Sequence, residues 1–140
     1  MSEDNKAVYD RFHEAVNSHD FDIIANAIDE VVDPDLVFHA PMPMGASGPE
    51  ALKRVWTVLL RAFPDVRVTT EDIVAEGDKV VYRQTVTGTH QGEFRGIPAT
   101  GRRVTYNEIF IVRFAGGRIA EIWGVVDGLT QLRQIGALPQ

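Results

Sequence analysis

The sequence predicts a mixed α+β fold in which helices come first and a strongly bent antiparallel sheet follows. Apolar residues recur at helical spacing through much of residues 4–63, whereas residues 66–126 are rich in β-branched and aromatic residues. Glycine-containing turns divide this second part into candidate hairpins. Asp127 is a suitable N-cap for a short last helix. The expected architecture is therefore three N-terminal helices around which a curved sheet wraps, followed by a short C-terminal helix.

Proline and glycine residues mark the predicted ends and starts of helices in the first half of the chain. Pro34 and Pro64 cannot continue the helices that precede them, and Pro49 fits the first turn of a helix capped by Ser47 or Gly48. The predicted segments are, in order, a helix at 4–17, a helix at 21–31, a strand at 36–39, an irregular loop at 41–48 that resembles the lip of a pocket, and a helix at 49–63.

The second half reads as two hairpins. Strands are predicted at residues 66–76 and 79–90, at 104–114 and at 118–126, with a helix from 129 to 134. If residues 115–117 form a three-residue loop with Gly117 in the left-handed region, Glu108 lies opposite Gly124. A two-residue turn would place Glu108 opposite Val125 instead.

Composition limits the possible functions. The 140 residues predict one domain over residues 1–140, and 14 basic against 20 acidic residues give a net charge of −6 with no long basic run. Neither a nucleic-acid surface nor an anionic membrane surface is expected. The chain has no cysteine, a polar start and no apolar run near the ~20 residues of a membrane span. The cytoplasm is the expected location.

Three motifs in the second half carry a family resemblance. They are Gly-Ile-Pro-Ala-Thr-Gly-Arg-Arg at 96–103, Ile-Val-Arg-Phe-x-x-Gly-Arg-Ile-x-Glu-x-Trp at 111–123, and Asp-x-x-x-x-Leu-Arg-Gln-Ile-Gly at 127–136. With a looser match over the whole chain, this pattern resembles the SnoaL-like polyketide cyclase family. The resemblance implies the cone-shaped α+β fold shared with nuclear transport factor two and ketosteroid isomerase. It does not fix the activity, because such folds carry unrelated chemistries.

The resemblance also implies where catalytic residues should be. In the cyclases, an aspartate on the last strand acts as general acid/base with a histidine on the preceding strand, and these positions fall on Gly124 and Phe110 here. Neither residue can transfer a proton. One hypothesis is that the carboxylate has moved to Glu108, where an apolar setting would raise its pKa. The alternative is a structural glutamate paired with an arginine such as Arg83, or one at a wet pocket mouth.

Other candidates each have a structural alternative. His39 could act as an acid or base in a pocket, or its hydrogen bonds could be satisfied structurally at the end of a strand. His90 could hydrogen-bond a ligand, or it could hold the loop that follows it. The four histidines form no metal-binding spacing, and no cofactor fingerprint occurs, so no metal and no cofactor are expected. Trp123 should face outward and favours a homodimer. The residues predicted to line a pocket are Trp56, Tyr82, Tyr106, Phe110, Ile122 and Gly124.

The sequence therefore supports three readings of function. The first is a cofactor-free enzyme of the cyclase or isomerase kind that acts on a small hydrophobic carbonyl compound, with Glu108 as proton carrier. The second is a non-catalytic protein of the same fold that binds such a molecule. The third is a structural dimerisation module, which would require the pocket to be filled by side chains.

Overall fold

The computed structural model describes residues 2–40 and 45–139, so part of the predicted irregular loop, residues 41–44, lies outside it. The helices are α1 (Ser2–Val16), α2 (Phe21–Val31), α3 (Gly48–Ala62) and α4 (Gly128–Gln134). The strands are β1 (Val32–His39), β2 (Arg67–Glu76), β3 (Lys79–Thr89), β4 (Arg103–Ala115) and β5 (Arg118–Val126). Of the helices described, none combines the length and the apolar character needed to span a bilayer.

The mixed α+β fold predicted from the sequence is confirmed. The five strands lie in the order β1, β5, β4, β3, β2. Neighbouring pairs among β2 to β5 are antiparallel, but β1 runs parallel to β5, so the sheet is mixed rather than wholly antiparallel. Parallel pairing requires a long connection, and the chain from α3 to β4 supplies it.

Strand β1 starts earlier than predicted because it follows α2 without a loop. Val32 both caps α2 and pairs with Ile119 on β5. Pro34 lies inside the strand, where the register with β5 shifts between Val32 and Val37. A bulge of this kind is one of the few strand positions that tolerate proline.

The core lies between the inner face of the sheet and the helices. Alternation along β3 points one set of side chains inward, as predicted, and these are all buried: Val80, Tyr82, Gln84 and Val86, with His90 just beyond the strand. Val80, Tyr82 and Val86 join apolar residues of α1, α2 and α3 in one cluster. At the end of the chain, Asp127 caps α4 through Thr130, whose backbone N–H and hydroxyl both donate to its carboxylate at 3.1 and 2.7 Å.

The register of the β4–β5 hairpin differs from both predicted alternatives. Ala115 pairs with Arg118, so Gly116 and Gly117 form a two-residue turn, and both have positive φ as such turns require. The register then shifts by one more residue between Arg113 and Phe114. As a result Glu108 lies opposite Val126, not opposite Gly124 or Val125, and Phe110 is the residue that faces Gly124.

The bulge behind this shift is at Ala120. Arg113 pairs with Glu121 and Phe114 with Ile119, which leaves Ala120 as the extra residue of β5. Ile119 and Ala120 are both buried. Because of the inserted residue, Ile122 points to the inner face of the sheet. If the register of Phe114 and Ile119 continued without a bulge, Trp123 would point inward instead.

Candidate active site

A cavity of about 140 Å³ lies between the helices and the inner face of the sheet. Its wall is largely apolar, with contributions from α1, α3, α4 and all five strands. Four of the predicted lining residues contribute to it, namely Trp56, Tyr106, Phe110 and Ile122. Side chains therefore do not fill this space, which argues against the structural dimerisation module, because that function requires a filled pocket.

A few polar side chains interrupt this apolar wall. Glu108 is central among them, because Gln84 lies directly opposite on β3 and Tyr106 precedes it by two residues on the same face of β4. Across β5 its neighbour is the apolar Val126. In the part of the chain that the structure describes, the polar side chains of the wall are Tyr9, Gln84, Arg95, Tyr106, Glu108 and Gln131.

The carboxyl group of Glu108 has an unusual protonation equilibrium. Burial in the cavity raises its pKa from the usual 4.5 to about 7. Among the described residues no positive charge or hydrogen-bond donor offsets this effect. The suggested partner Arg83 cannot do so, because it pairs with Ile109 and is exposed on the opposite face of the sheet. The reading of Glu108 as half of an Arg83 ion pair is therefore wrong.

Tyr9 and Gln84 form a second polar contact at the cavity wall. The Gln84 side-chain amide donates to the Tyr9 hydroxyl at 2.5 Å and to the Thr70 hydroxyl at 3.3 Å. Tyr82 lies behind this pair, with its ring stacked on that of Tyr9 at a centroid distance of 3.6 Å. Tyr82 is fully buried there and does not line the cavity, which corrects its prediction as a lining residue.

Gln131 enters the cavity from helix α4, and sequence reasoning missed it. Burial raises the pKa of the Tyr106 hydroxyl, and the Gln131 side chain beside it offsets part of this rise. Gln131 is 2% exposed, and Ile135, one turn further along the helix, is 1% exposed. The available signal was that Gln131 lies four residues before the apolar Ile135 and therefore on the same face of the helix. The inward face of a short helix is normally apolar, so a glutamine there indicates a polar group at the core or at a cavity.

His39 lies outside the cavity. It pairs with Trp123 on β5, its ring stacks on the indole at 5.3 Å, and its Nε2 lies 2.8 Å from a carboxylate oxygen of Glu121. The neighbouring Phe38 lines the cavity instead, since successive strand residues point to opposite faces. The prediction that His39 is a pocket acid/base is therefore corrected.

His90 is fully buried but also stays outside the cavity. Its Nδ1 lies 2.9 Å from the Thr100 hydroxyl and accepts from the Thr100 backbone N–H at 3.3 Å. Its backbone N–H and carbonyl bond to Arg102 and Gly101. His90 thus pins the two ends of the 91–101 loop together, as the structural alternative described. Within residues 2–40 and 45–139, no group of three histidine, aspartate or glutamate residues is arranged to hold a metal ion.

Comparison with known proteins identifies the family. The sequence profile of the SnoaL-like polyketide cyclases matches residues 6–135. The chain belongs to the SnoaL-like polyketide cyclase family. It is 33% identical over 129 residues to the aklanonic acid methyl ester cyclase DnrD of Streptomyces peucetius, covering 90% of this chain and 86% of DnrD.

Solved structures agree with this assignment. TsrD from Streptomyces laurentii superposes with a TM-score of 0.87 and 30% identity, covering 99% of this chain and 98% of TsrD. AclR from Streptomyces galilaeus, described as a candidate hydroxylase, superposes with a TM-score of 0.84 and 34% identity over 100% of this chain and 85% of its own. Membership of the SnoaL-like family therefore does not by itself choose the reaction.

The two positions expected to be catalytic in a SnoaL-like cyclase are in contact here. Phe110 and Gly124 pair across β4 and β5, and a Cβ atom on Gly124 would lie 2.6 Å from Phe110 Cδ1 and overlap the ring. Phe110 faces the cavity. Its ring covers Gly124, which does not contribute to the cavity wall. The prediction that Gly124 lines the pocket is therefore corrected.

Proposed function

We propose that this protein is a cofactor-free cyclase or isomerase that transfers a proton on a small hydrophobic carbonyl compound, with Glu108 as the proton carrier. The observation that carries the proposal is the Glu108 carboxyl group in an apolar cavity, with its pKa raised by burial to about 7. A carboxyl group with this pKa exists in both protonation states near neutral pH, which suits it to accept a proton and to return it.

The proposed reaction needs no external reactant. The Glu108 carboxylate removes a proton from the carbon beside a carbonyl group, which leaves an enolate. In a ring closure, that carbon attacks a second carbonyl carbon of the same molecule, a C–C bond forms and the second oxygen becomes an alkoxide. Glu108 then returns its proton to this oxygen. In an isomerisation, the proton returns to another carbon of the enolate.

The size of the cavity limits what reacts inside it. A volume of about 140 Å³ is close to that of an engineered cavity of ~150 Å³ that binds benzene. The enclosed part of the substrate is thus about one ring, and the remainder of a larger molecule would extend past the exposed Arg95 at the wall. Because the relative DnrD is named for aklanonic acid methyl ester, that compound is the first substrate to test.

A non-catalytic binding protein is the second candidate. It is favoured by Phe110 and Gly124, which occupy the positions where the family resemblance places the histidine and the aspartate. A protein that keeps the apolar cavity but has lost both groups could retain ligand binding without turnover.

The test is a Glu108→Gln variant, which keeps the shape of the side chain but cannot act as a base. We expect turnover to fall by roughly 10²- to 10⁴-fold while ligand binding is retained. Glu14→Gln, an exposed change on α1, is the matched control and should leave turnover unchanged. Unaltered turnover in Glu108→Gln would refute the role of Glu108, and binding without turnover in the unmodified protein would favour the binding protein.

We also propose a homodimer formed through the outer face of the sheet. One row of paired residues crosses all five strands on this face: Val74, Val81, Ile111, Trp123 and His39. Arg113 and Glu121 lie beside this row and carry opposite charges 3.1 Å apart. A two-fold related copy could therefore cover the apolar row and exchange these charges reciprocally. Location in the cytoplasm stays a prediction from composition.

A further inference from the structure

Gln131 has a hydrogen-bonding atom that finds no partner within residues 2–40 and 45–139. Its Oε1 is buried and unpaired among the described residues, although its side chain also contacts the Tyr106 hydroxyl. A buried carbonyl oxygen without a donor destabilises the ligand-free protein. Since native proteins satisfy the large majority of such groups, this one requires an explanation.

The unpaired oxygen cannot easily turn toward solvent, because helix α4 is fixed on both sides. The Gln134 amide bonds the backbone N–H and carbonyl of Thr105 on β4 at 2.6 and 2.9 Å. Asp127 holds the first turn, and the buried Ile135 holds the last. The Gln131 side chain is therefore kept at the cavity wall.

An apolar residue would satisfy packing at this position better than glutamine does. A methionine or leucine side chain of similar volume would fill the same space without an unpaired oxygen. The contact with Tyr106 accounts for one end of the amide, but neither this contact nor packing accounts for the unpaired oxygen. A ligand in the cavity that donates a hydrogen bond would account for it.

We propose that Gln131 Oε1 accepts a hydrogen bond from a hydroxyl group of the ligand, whether phenolic, enolic or alcoholic. Tyr106 links this point to the proposed proton carrier, because it lies beside Gln131 and two residues from Glu108 on the same face of β4. The ligand would thus present a hydroxyl group to α4 and a carbonyl-bearing carbon to β4. The inference rests on the proposed ligand cavity but does not require Glu108 to be catalytic.

The test compares two probes of the same shape, p-cresol and p-xylene, which differ by one hydroxyl group and fit a one-ring cavity. Dissociation constants are measured for the unmodified protein, Gln131→Met and Gln131→Leu by calorimetry or ligand-observed NMR, with circular dichroism to confirm folding. The preference for p-cresol should fall by roughly 2- to 10-fold in both variants, as expected for one neutral hydrogen bond, while p-xylene affinity is retained.

The outcomes separate this inference from the proposed function. An unchanged preference for p-cresol in the folded variants overturns the role of Gln131, and so does failure of the unmodified protein to bind either probe. If Glu108→Gln leaves turnover intact but Gln131→Met loses the preference, the proton-carrier role fails and the hydroxyl site stands. If Glu108→Gln loses turnover but Gln131→Met keeps the preference for p-cresol, the hydroxyl site fails and the proton-carrier role stands.

Discussion

Phe110 and Gly124 face each other on β4 and β5, and the aromatic ring fills the space that a side chain at residue 124 would occupy. The two replacements implied by the family resemblance are therefore physically coupled. A large ring at residue 110 requires the absence of a side chain at residue 124. Restoring the aspartate at residue 124 while Phe110 is kept should create a clash.

The first prediction concerns that clash. Gly124→Ala should destabilise the protein by about 1–3 kcal/mol because its Cβ overlaps Phe110, and Gly124→Asp should cost more because it also buries a carboxylate. Denaturant unfolding measures both. In the double variant Phe110→His with Gly124→Asp, the cost should be smaller than the sum of the single costs. Strict additivity of the two substitutions would contradict the coupling.

The second prediction concerns the pH dependence of stability. Between pH 4.5 and about 7 the folded protein keeps a proton on Glu108 that the unfolded chain has released, so the contribution of Glu108 to the free energy of unfolding falls as pH rises through this window. Glu108→Gln lacks this loss. Its stability relative to the unmodified protein should therefore grow by about 3 kcal/mol from pH 4.5 to pH 7 and then level off.

Other carboxylates do not disturb that comparison. Hydrogen bonds from Thr130 lower the pKa of Asp127, and bonds from His39 and Arg113 lower that of Glu121, so both groups add stability as pH rises. They are present in both proteins and cancel in the difference. Parallel stability curves for the two proteins would show that the Glu108 pKa is not raised.

The third prediction is a pH profile of activity. If Glu108 is the base, kcat/KM should increase with pH and reach a plateau above the Glu108 pKa of about 7. Steady-state rates on aklanonic acid methyl ester over pH 5–9 would measure it. A profile that is already flat at pH 5 would point to a carboxyl group with an ordinary pKa, and hence to another residue.

The fourth prediction concerns the outer face of the sheet. Ile111→Lys and Val125→Lys place charges in the apolar surface and should convert a dimer to a monomer, while Glu14→Gln should not. Light scattering coupled to size exclusion gives the molar mass. A monomeric unmodified protein would refute the dimer, and dimeric lysine variants would move the interface elsewhere.

Local sequence signals were sufficient for most elements. The structure confirms four predictions that each depend on a few neighbouring residues. They are the end of α3 before Pro64, the turn at Gly77 and Asp78, the bounds of β5 and the Asp127 cap. Periodicity along β4 was likewise sufficient to turn Glu108 inward, because alternation in a strand is a local property.

Only the tertiary structure decided what lies next to Glu108. The bulge at Ala120 depends on burying both Ile119 and its neighbours against the core, and a turn sequence alone does not specify it. The parallel pairing of β1, which turns His39 outward, and the docking of α4, which brings Gln131 to the cavity, join segments far apart in the chain. The sequence by itself determined the elements, the family and the inward face of β4. Register, strand neighbours and the polar set around the carboxyl group came from long-range packing, which patterns of neighbouring residues do not contain.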